Sequence, residues 1–385
     1  MKKIISLLVV LLVCTSVYST ETRLMGFGSG IEHYFEDDYN IVQFPGTLSS
    51  YRNLTIIDAE EINNDGSAIL TYHNEEKNLN FSLLLERPIR SIRSIIYYPP
   101  SADRMNTIMI GKNNSTVYFG ANGGYSTNVE DSLNKYDYLY LSTGYGYSTK
   151  GTNPVDMAIH FLYVNEMEEQ DDSSSSYFSR NKNRGYESRI LFRTKHKLKS
   201  GLIRPFVELG FKYYETERTY QNMPFSDNSY RLSYYYMAEL GIVHESWLNS
   251  NNCLWVGFVP LSFMRYSYEL NDRGGIPYSR DWITKTLDSH LFIALESQVK
   301  GWLTTRIGIQ SNYKYKNYKY SRNHVDQNNR NSFYSRYSAC YGLSMNYRKF
   351  KLDATVYPGF AYNGPHFISG FSSRLFGNIS ISYQW

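Results

Sequence analysis

The sequence has little cysteine, no long apolar run and no strong excess of charge. Only three of its 385 residues are cysteines. The two beyond the N-terminal segment, Cys253 and Cys340, are too few for a disulfide framework. After residue 20, no window holds the about 18 consecutive apolar residues of a membrane-spanning helix, which excludes a helical membrane protein. The formal net charge is +4 with both signs intermixed, so composition indicates no nucleic-acid-binding surface.

Aromatic residues, in contrast, are abundant. Tyrosine alone contributes 38 residues, and aromatic residues together make up 16% of the chain. Such a content of ring-bearing and β-branched side chains excludes a disordered chain, which would be poor in both. The composition therefore indicates a folded protein whose class must be read from the order of its residues.

The first nineteen residues are organised as a secretory signal peptide. Lys2 and Lys3 form a positive start, and the apolar run 4–13 that follows is too short to span a bilayer. We expect cleavage near Ser19 and Thr20, and export of the remaining chain. The predicted organisation is 1–19 signal peptide, 20–60 plug-like segment and 61–385 barrel.

Downstream of about residue 115, the dominant period of apolar residues is two. Ile379 and Ile381 alternate with Ser380, and the same period recurs at 187–197 and 287–299. This alternation places one face of a strand in an apolar medium and the other in a polar one. A soluble sandwich would show the same period, so segment length and connections must separate the two cases.

Long segments and unequal connections favour a membrane barrel over a sandwich. Several segments run for roughly 11 to 18 residues, whereas a soluble strand has about 5 or 6 and a tilted membrane strand about 9–11. Short turns are predicted near Gly151, Ser200–Gly201, Asn249–Asn252, Lys300–Gly301 and Arg348–Phe350. Longer polar connections are predicted near 165–185, 218–229, 270–284, 316–331 and 360–373.

We therefore predict an all-β fold, a closed antiparallel transmembrane β-barrel of about fourteen strands, within a range of twelve to sixteen and even in number. Twelve candidate strands follow residue 115, and 66–73 with 79–86 add a hairpin. The segments 54–59 and 107–111 are either further strands or parts of an internal plug.

A stretch near the mature N-terminus resembles a known family. The matching residues are Arg23, Gly26, Gly28, Gly30, Asp37, Asp38 and Pro45. This pattern resembles the start of the FadL-like long-chain fatty acid transporters and of the related PorV proteins. The resemblance implies a fourteen-stranded barrel with its N-terminal segment in the lumen, which moves hydrophobic compounds or serves a secretion pathway. Phe44 and Gly46 depart from the family's Asn and Ala, so a fatty-acid substrate does not follow.

Ionisable residues of both signs fall on the polar, inward positions of the predicted strands. These candidate lumen-lining residues are Asp156, His160, Glu187, Arg189, Arg193, Lys195, Glu208, Lys212, Glu239, Glu245, Asp288, His290, Glu296, Arg306, Arg348, Lys351 and Asp353. Two interpretations remain open: a network of ion pairs that stiffens the lumen, and a water-filled path for polar solutes.

Two further segments depart from simple alternation. Around Phe258 and Pro260 both faces are apolar, which predicts a bulge or kink and either packing on the plug or an apolar patch or lateral opening. The segment Tyr313–Arg322 interleaves bases with aromatic rings at the top of a strand. We interpret it as a solvated strand extension or a contact with lipid phosphates, with nucleic acid as a weaker alternative.

The sequence thus predicts an outer membrane barrel of a double-membraned bacterium that acts as a channel or transporter for small or hydrophobic solutes. The alternatives are a structural or secretion-associated barrel with a plugged lumen and partner-binding loops, and a membrane-embedded barrel hydrolase. We expect no enzymatic activity, cofactor, metal or nucleic-acid partner. Outer membrane lipid and lipopolysaccharide are the expected surroundings, and the strand ending in Trp385 the expected contact with the barrel assembly machinery.

Overall fold

The computed structural model describes most of the chain from residue 41 to the C-terminus. The described residues are 41–60, 65–88, 104–113, 117–131, 134–149, 151, 153–172, 177–221, 229–272, 279–322, 325–356 and 376–385. Within them, seventeen strands form one antiparallel sheet, and a short 3-10 helix lies over Pro45–Ser50. No helix among these residues is long and apolar enough to cross a membrane.

The strands at both ends of the chain are short, and the longest lie within 201–347. Their bounds are β1 Leu54–Glu60, β2 Asp65–Asn74, β3 Leu79–Pro88, β4 Arg104–Asn113, β5 Val117–Asp131, β6 Asn134–Thr149, β7 Val155–Asp172, β8 Tyr177–Thr194, β9 His196–Leu198, β10 Gly201–Gln221, β11 Ser229–Asn249, β12 Asn252–Asp272, β13 Ser279–Lys300, β14 Leu303–Arg322, β15 Val325–Tyr347, β16 Phe350–Val356 and β17 Phe376–Gln384.

The sheet closes on itself. Strand β1 pairs with β2 on one side and with β17 on the other, with Leu54 opposite Gln384 and Glu60 opposite Asn378. Because each strand then has a neighbour on both sides, the backbone groups of the wall are paired within the sheet, as a lipid environment requires. The strands β8 and β9 both pair with β10 and form one interrupted position of the wall, so the barrel has sixteen strands.

The predicted number of fourteen was too low, although closure and antiparallel topology are confirmed. Twelve wall positions follow residue 115, as predicted. The two segments left open, 54–59 and 107–111, are both strands of the wall, within β1 and β4. The wall therefore begins at Leu54, inside the range 20–60 that the sequence assigns to the plug.

The five predicted short turns all lie between strands of the structure. Two of the stretches predicted as long connections, 165–185 and 316–331, are largely strand instead: β7 continues to Asp172 and β8 begins at Tyr177, while β14 ends at Arg322 and β15 begins at Val325. The predicted connection at 360–373 lies outside the described residues, as do most of 218–229 and the middle of 270–284. Strands β10–β15 thus reach 20–23 residues, about twice the length that a bilayer needs. Their far ends extend beyond the lipid, so polar residues there do not indicate loops.

Burial alternates along the strands as predicted. In β17, Ser380 and Ser382 are buried inside the barrel, whereas Ile379 and Ile381 are exposed on its outer surface. Many other aliphatic and aromatic side chains are exposed in the same way, among them Ile108, Ile159, Ile293 and Ile309. An exterior of this kind fits hydrocarbon rather than water, because a soluble protein rarely exposes such a continuous apolar surface.

Aromatic rings border this apolar surface at two levels. Near the short turns, the rings of Phe350 and Tyr383 lie 4.5 Å apart, and Trp385 stacks on Tyr72 at 6.0 Å. Towards the other end, a ladder of rings crosses three strands, where Tyr213 lies 5.3 Å from both Tyr186 and Tyr234. Two such levels are typical of the two interfaces of a bilayer.

A charge on the outer surface tests this placement. Ile293→Arg puts a guanidinium in the middle of the apolar surface, and we expect it to cost about 2–4 kcal/mol of folding free energy. Val299→Arg, beside the short turn at Gly301, serves as the matched control and should cost about 0–1 kcal/mol. Both residues are exposed and on the same strand. Urea unfolding of the barrel in lipid vesicles measures the difference; equal costs would contradict a lipid-facing Ile293.

Candidate functional site

A segment of the chain that precedes the wall lies inside the barrel. It comprises residues 41–50, hereafter the inserted segment, and ends in the 3-10 helix that begins at Pro45. His160 donates through Nε2 to the carbonyl oxygen of Gln43 at 2.7 Å, and Asn122 donates through Nδ2 to that of Val42 at 3.2 Å. Inward-facing polar side chains of the wall thus satisfy backbone groups of the segment.

A row of small residues makes room for the segment on the wall. Gly111, Gly120, Gly146 and Ala158 are successive cross-strand partners on β4, β5, β6 and β7. A side chain at Gly120 would overlap the carbonyl oxygen of Pro45, and one at Gly146 would overlap the neighbouring backbone of the segment. The close approach of two backbones therefore requires glycine at both positions.

The inserted segment joins two apolar clusters on the inner wall. Ile41 and Leu48 are buried against inward residues of β1–β4 that include Leu54, Ile69 and Met109. Phe44 belongs to a second cluster, formed by residues of β7, β8 and β10–β13. Its members besides Phe44 are Ala158, Leu191, Phe206, Val243, Cys253, Trp255, Val259, Phe292 and Ala294. The segment thus contributes to apolar packing on both sides of the lumen.

Buried ion pairs line the wall next to the segment. Arg193 donates to Asp156 Oδ2 from Nε at 3.0 Å and from Nη2 at 2.8 Å, and Ser148 donates to the other carboxylate oxygen. The Arg193 guanidinium also lies 4.2 Å from the centre of the Phe44 ring. This cation–π contact connects the ion pair to the inserted segment.

A second network lies on the strands nearest the C-terminus. Arg306 contacts Glu296 at 2.6 Å and Asp353 at 3.2 Å, and Lys351 contacts Asp353 at 3.1 Å. Ser344 also donates to Asp353, which is completely buried. Each charge has at least one partner of opposite sign, which lowers the cost of placing these groups inside the barrel.

A third network joins β8 and β10, and separate ion pairs lie on other strands. Arg189 bridges Glu187 at 3.2 Å and Glu208 at 3.5 Å, and Lys212 lies 3.9 Å from Glu187. On the other side, Lys314 contacts Asp288 at 2.8 Å. Arg204 pairs with Glu245 at 2.5 Å and stacks on Trp255, with its guanidinium 4.8 Å from the ring.

The structure places most of the predicted lumen-lining residues on the inner face. Those that are buried or partly buried there are Asp156, His160, Glu187, Arg189, Arg193, Glu208, Lys212, Glu239, Glu245, Asp288, His290, Glu296, Arg306, Lys351 and Asp353. Ion pairs join several of these residues, and the water-filled path remains open beside the network. No group of three or more His, Cys, Asp or Glu side chains suited to a metal occurs in the described part of the chain.

Two predicted lumen residues lie elsewhere. Arg348 is exposed in the turn between β15 and β16, with φ of 54°, so its assignment to the lumen was wrong. Strand β15 ends at Tyr347, so the alternation of inward and outward positions no longer applies at Arg348. Lys195 lies at the interruption between β8 and β9, where its N–H donates to the carbonyl of Pro154. Of the predicted plug residues, Pro45 lies in the inserted segment, whereas Gly26, Gly28, Gly30, Asp37 and Asp38 lie outside the described residues.

The predicted bulge at Pro260 is present. The pairing of β12 with β13 shifts between Val259 and Ser262, so the inward parity changes there. Phe258 is exposed and faces outward, and Pro260 is exposed at the bulge. The apolar inward residues of this strand are Cys253, Trp255 and Val259, which belong to the cluster that contains Phe44.

Comparison with known proteins gives no family. No family model matches, and no curated protein matches. Among solved structures, the toluene transporter TodX of Pseudomonas putida is 10% identical over 96% of this chain and 100% of its own, with a TM-score of 0.40. The toluene transporter TbuX of Ralstonia pickettii is 10% identical over 95% and 96%, with a TM-score of 0.38. The ferric citrate transporter FecA is 8% identical over 78% of this chain and 65% of its own, with a TM-score of 0.39.

Removal of a buried cation tests the ion-pair network. In Arg306→Gln, Asp353 and Glu296 lose their guanidinium partner, and we expect a loss of about 3–5 kcal/mol of folding free energy. Lys314→Gln is the matched control on the same strand, since the Lys314 side chain is 29% exposed and its loss should cost far less. Urea unfolding in vesicles measures both. A loss below 1 kcal/mol or so for Arg306→Gln would show that this pairing contributes little.

Proposed function

We propose that the protein is an outer membrane barrel of a double-membraned bacterium that passes small solutes through its lumen, with the inserted segment as the obstacle on the path. The signal peptide expected at 1–19 would direct the chain to the bacterial envelope. The closed wall and its apolar exterior suit the outer membrane, where barrels of this kind occur. The proposed transport of solutes rests on the polar lumen and on the segment seated in it.

One observation carries the proposal: the lumen wall is charged and hydrogen-bonded, yet a ten-residue segment is seated within it. A barrel filled only for stability would need neither a separate segment nor a row of glycines to seat its backbone. Sixteen strands enclose a lumen in the size range of porins. Among the described residues, His160 and Asn122 donate hydrogen bonds to the backbone of the segment, and the Arg193 guanidinium contacts the ring of Phe44.

A plugged structural or secretion-associated barrel is the second candidate. It is favoured by the apolar packing of Ile41, Phe44 and Leu48, all three of them buried. Such packing would hold the segment permanently in place. The two candidates predict different results when the glycine row that seats the segment is changed. A channel should then conduct ions, and a plugged barrel should not.

A barrel hydrolase would need a serine beside His290 and Asp288. We infer a non-enzymatic role for either candidate, because the serines near these residues in sequence, Ser289 and Ser297, alternate with inward residues and face outward.

Ion conductance across planar bilayers tests the proposal through the glycine seat. Gly120→Leu should displace the inserted segment, because the new side chain would overlap the Pro45 carbonyl. We expect single-channel conductance to rise several-fold above that of the wild type. Gly123→Leu is the matched control on the same strand: its Cβ would meet only the Ser142 carbonyl oxygen at 3.8 Å, so conductance should not change.

The result that contradicts passage is equally specific. If Gly120→Leu folds, as judged by its heat-dependent electrophoretic mobility, and still shows no conducting steps, the lumen is closed by more than the segment. The plugged-barrel hypothesis then replaces the channel. Equal increases in Gly120→Leu and Gly123→Leu would instead indicate general loosening of β5.

The hypothesis of a hydrophobic solute depends on the bulge in β12. If apolar compounds leave the lumen through the wall there, Pro260→Val should restore regular pairing and reduce their uptake at least several-fold. Uptake of a polar solute of similar size should stay the same, which provides the control. Unchanged uptake of apolar solutes by Pro260→Val would remove the lateral opening from consideration.

A further inference from the structure

Aromatic rings and cations share the inner face of the barrel above the inserted segment. Six residues on β10–β15 are successive cross-strand partners, so they form one continuous row, hereafter the upper row. The upper row consists of Lys212, Tyr235, Tyr266, Thr284, Tyr318 and Arg330. Its first four members are buried, which identifies the row as inward-facing.

The alternation of inward and outward positions explains the segment Tyr313–Arg322. In its first half the rings face outward and the lysines inward, and further along the strand a ring faces inward. Tyr313 and Tyr315 are exposed on the outer surface, whereas Lys314 reaches Asp288 in the lumen. Further along β14, Tyr318 belongs to the inward-facing upper row. The expected contact with lipid phosphates is therefore wrong for Lys314, whose ammonium lies inside the barrel.

Rings and cations next to the upper row contact one another. Trp282 and Tyr320 are cross-strand partners with ring centres 4.9 Å apart. The ammonium of Lys316 lies 5.7 Å from the centre of the Tyr334 ring. Such pairs hold aromatic rings and positively charged groups within a few ångströms of each other. At this spacing one small molecule can contact both a ring and a cation.

Among the described side chains at this level, several cations have no ion pair. Lys212 lies near Glu187, and Lys314 pairs with Asp288. Within the described part of the chain, Lys316, Arg330 and Arg336 have no ion pair. Arg330 and Arg336 are exposed, so their guanidinium groups are accessible to a solute.

The upper row lies on one side of the inserted segment, towards the strand ends that extend beyond the lipid. Phe206, in the cluster with Phe44, is close to Gly201, where β10 begins, and Lys212 is six residues further along the same strand. At about 3.3 Å per residue, the two levels are about 20 Å apart along the strand. A solute that enters from the long-strand end meets the upper row before the segment.

We propose that the upper row and its neighbours Trp282 and Lys316 form a binding site for organic anions that carry a flat ring. The cations bind the carboxylate, sulfonate or phosphate group through charge-assisted hydrogen bonds. The tyrosine and tryptophan rings stack on the flat part of the ligand. The site deepens the proposed function, on which it rests for the direction of entry, because it selects the solute before passage.

Equilibrium binding of pyrene-1,3,6,8-tetrasulfonate to the full-length barrel in lipid nanodiscs tests this site. This probe is flat, strongly anionic and fluorescent, and its charge keeps it out of lipid. We expect saturable binding that sulfate, an anion without a ring, and caffeine, a flat ring without charge, each displace only at far higher concentration. Lys316→Gln, Arg330→Gln and Trp282→Leu should each weaken binding by about tenfold, the value of one charge-assisted or stacking contact.

Matched controls carry the same changes on the outer face of the same strands. Lys285→Gln and Tyr313→Leu alter exposed side chains that point away from the lumen, and both should leave the affinity unchanged. Equal losses in the inward variants and in these controls would overturn the site. Displacement by sulfate as effective as by a ringed anion would overturn the stacking part and leave only attraction of charge.

Failure of this site and failure of transport give different results. Binding at equilibrium does not require that the lumen conducts. Saturable, ring-dependent binding together with a non-conducting Gly120→Leu barrel would support the site and contradict passage. Conductance without any binding of the tetrasulfonate would support passage and overturn the site.

Discussion

Pairing of every backbone group within the wall is the constraint on which the structure depends. In lipid no water is present to satisfy an open strand edge, so the sheet must close. Closure is made between β1 and β17, where Leu54 lies opposite Gln384 and the N–H of Trp385 donates to Asn53. Once the sheet is closed, every second side chain faces the lumen, and the alternation of the sequence decides what the lumen contains.

The lumen contains charge arranged largely in pairs, and in the described part of the chain the cations without an ion pair lie towards one end of the barrel. Near the short turns, Arg193, Arg204 and Arg306 each have a carboxylate partner. Towards the other end, Lys316 and Arg330 lie among aromatic rings instead. The lower half is therefore suited to holding the inserted segment, and the upper half to meeting a solute.

The alternation made much of this fold predictable from the sequence, and its failures have physical causes. In β1 and β4 the alternation does not separate a strand from part of a plug, because Ile56, Ile57, Ile108 and Met109 make both faces apolar. Their inward members pack on Ile41 and Leu48, so apolar contact with the segment hides the period of two. The alternation does not predict the seat of the segment either, although a glycine inside a strand, such as Gly120, often marks close approach of another backbone.

Collision of spin labels with oxygen and with a water-soluble nickel complex, measured along β14 in lipid vesicles, tests the central claim most directly. Ile309 is exposed on the outer face, Gln310 points inward and Ser311 outward. The account predicts high oxygen collision at 309 and 311 and low collision at 310, with the opposite order for nickel. Equal accessibility of the three positions to both reagents would contradict a barrel with lipid outside and a polar lumen within.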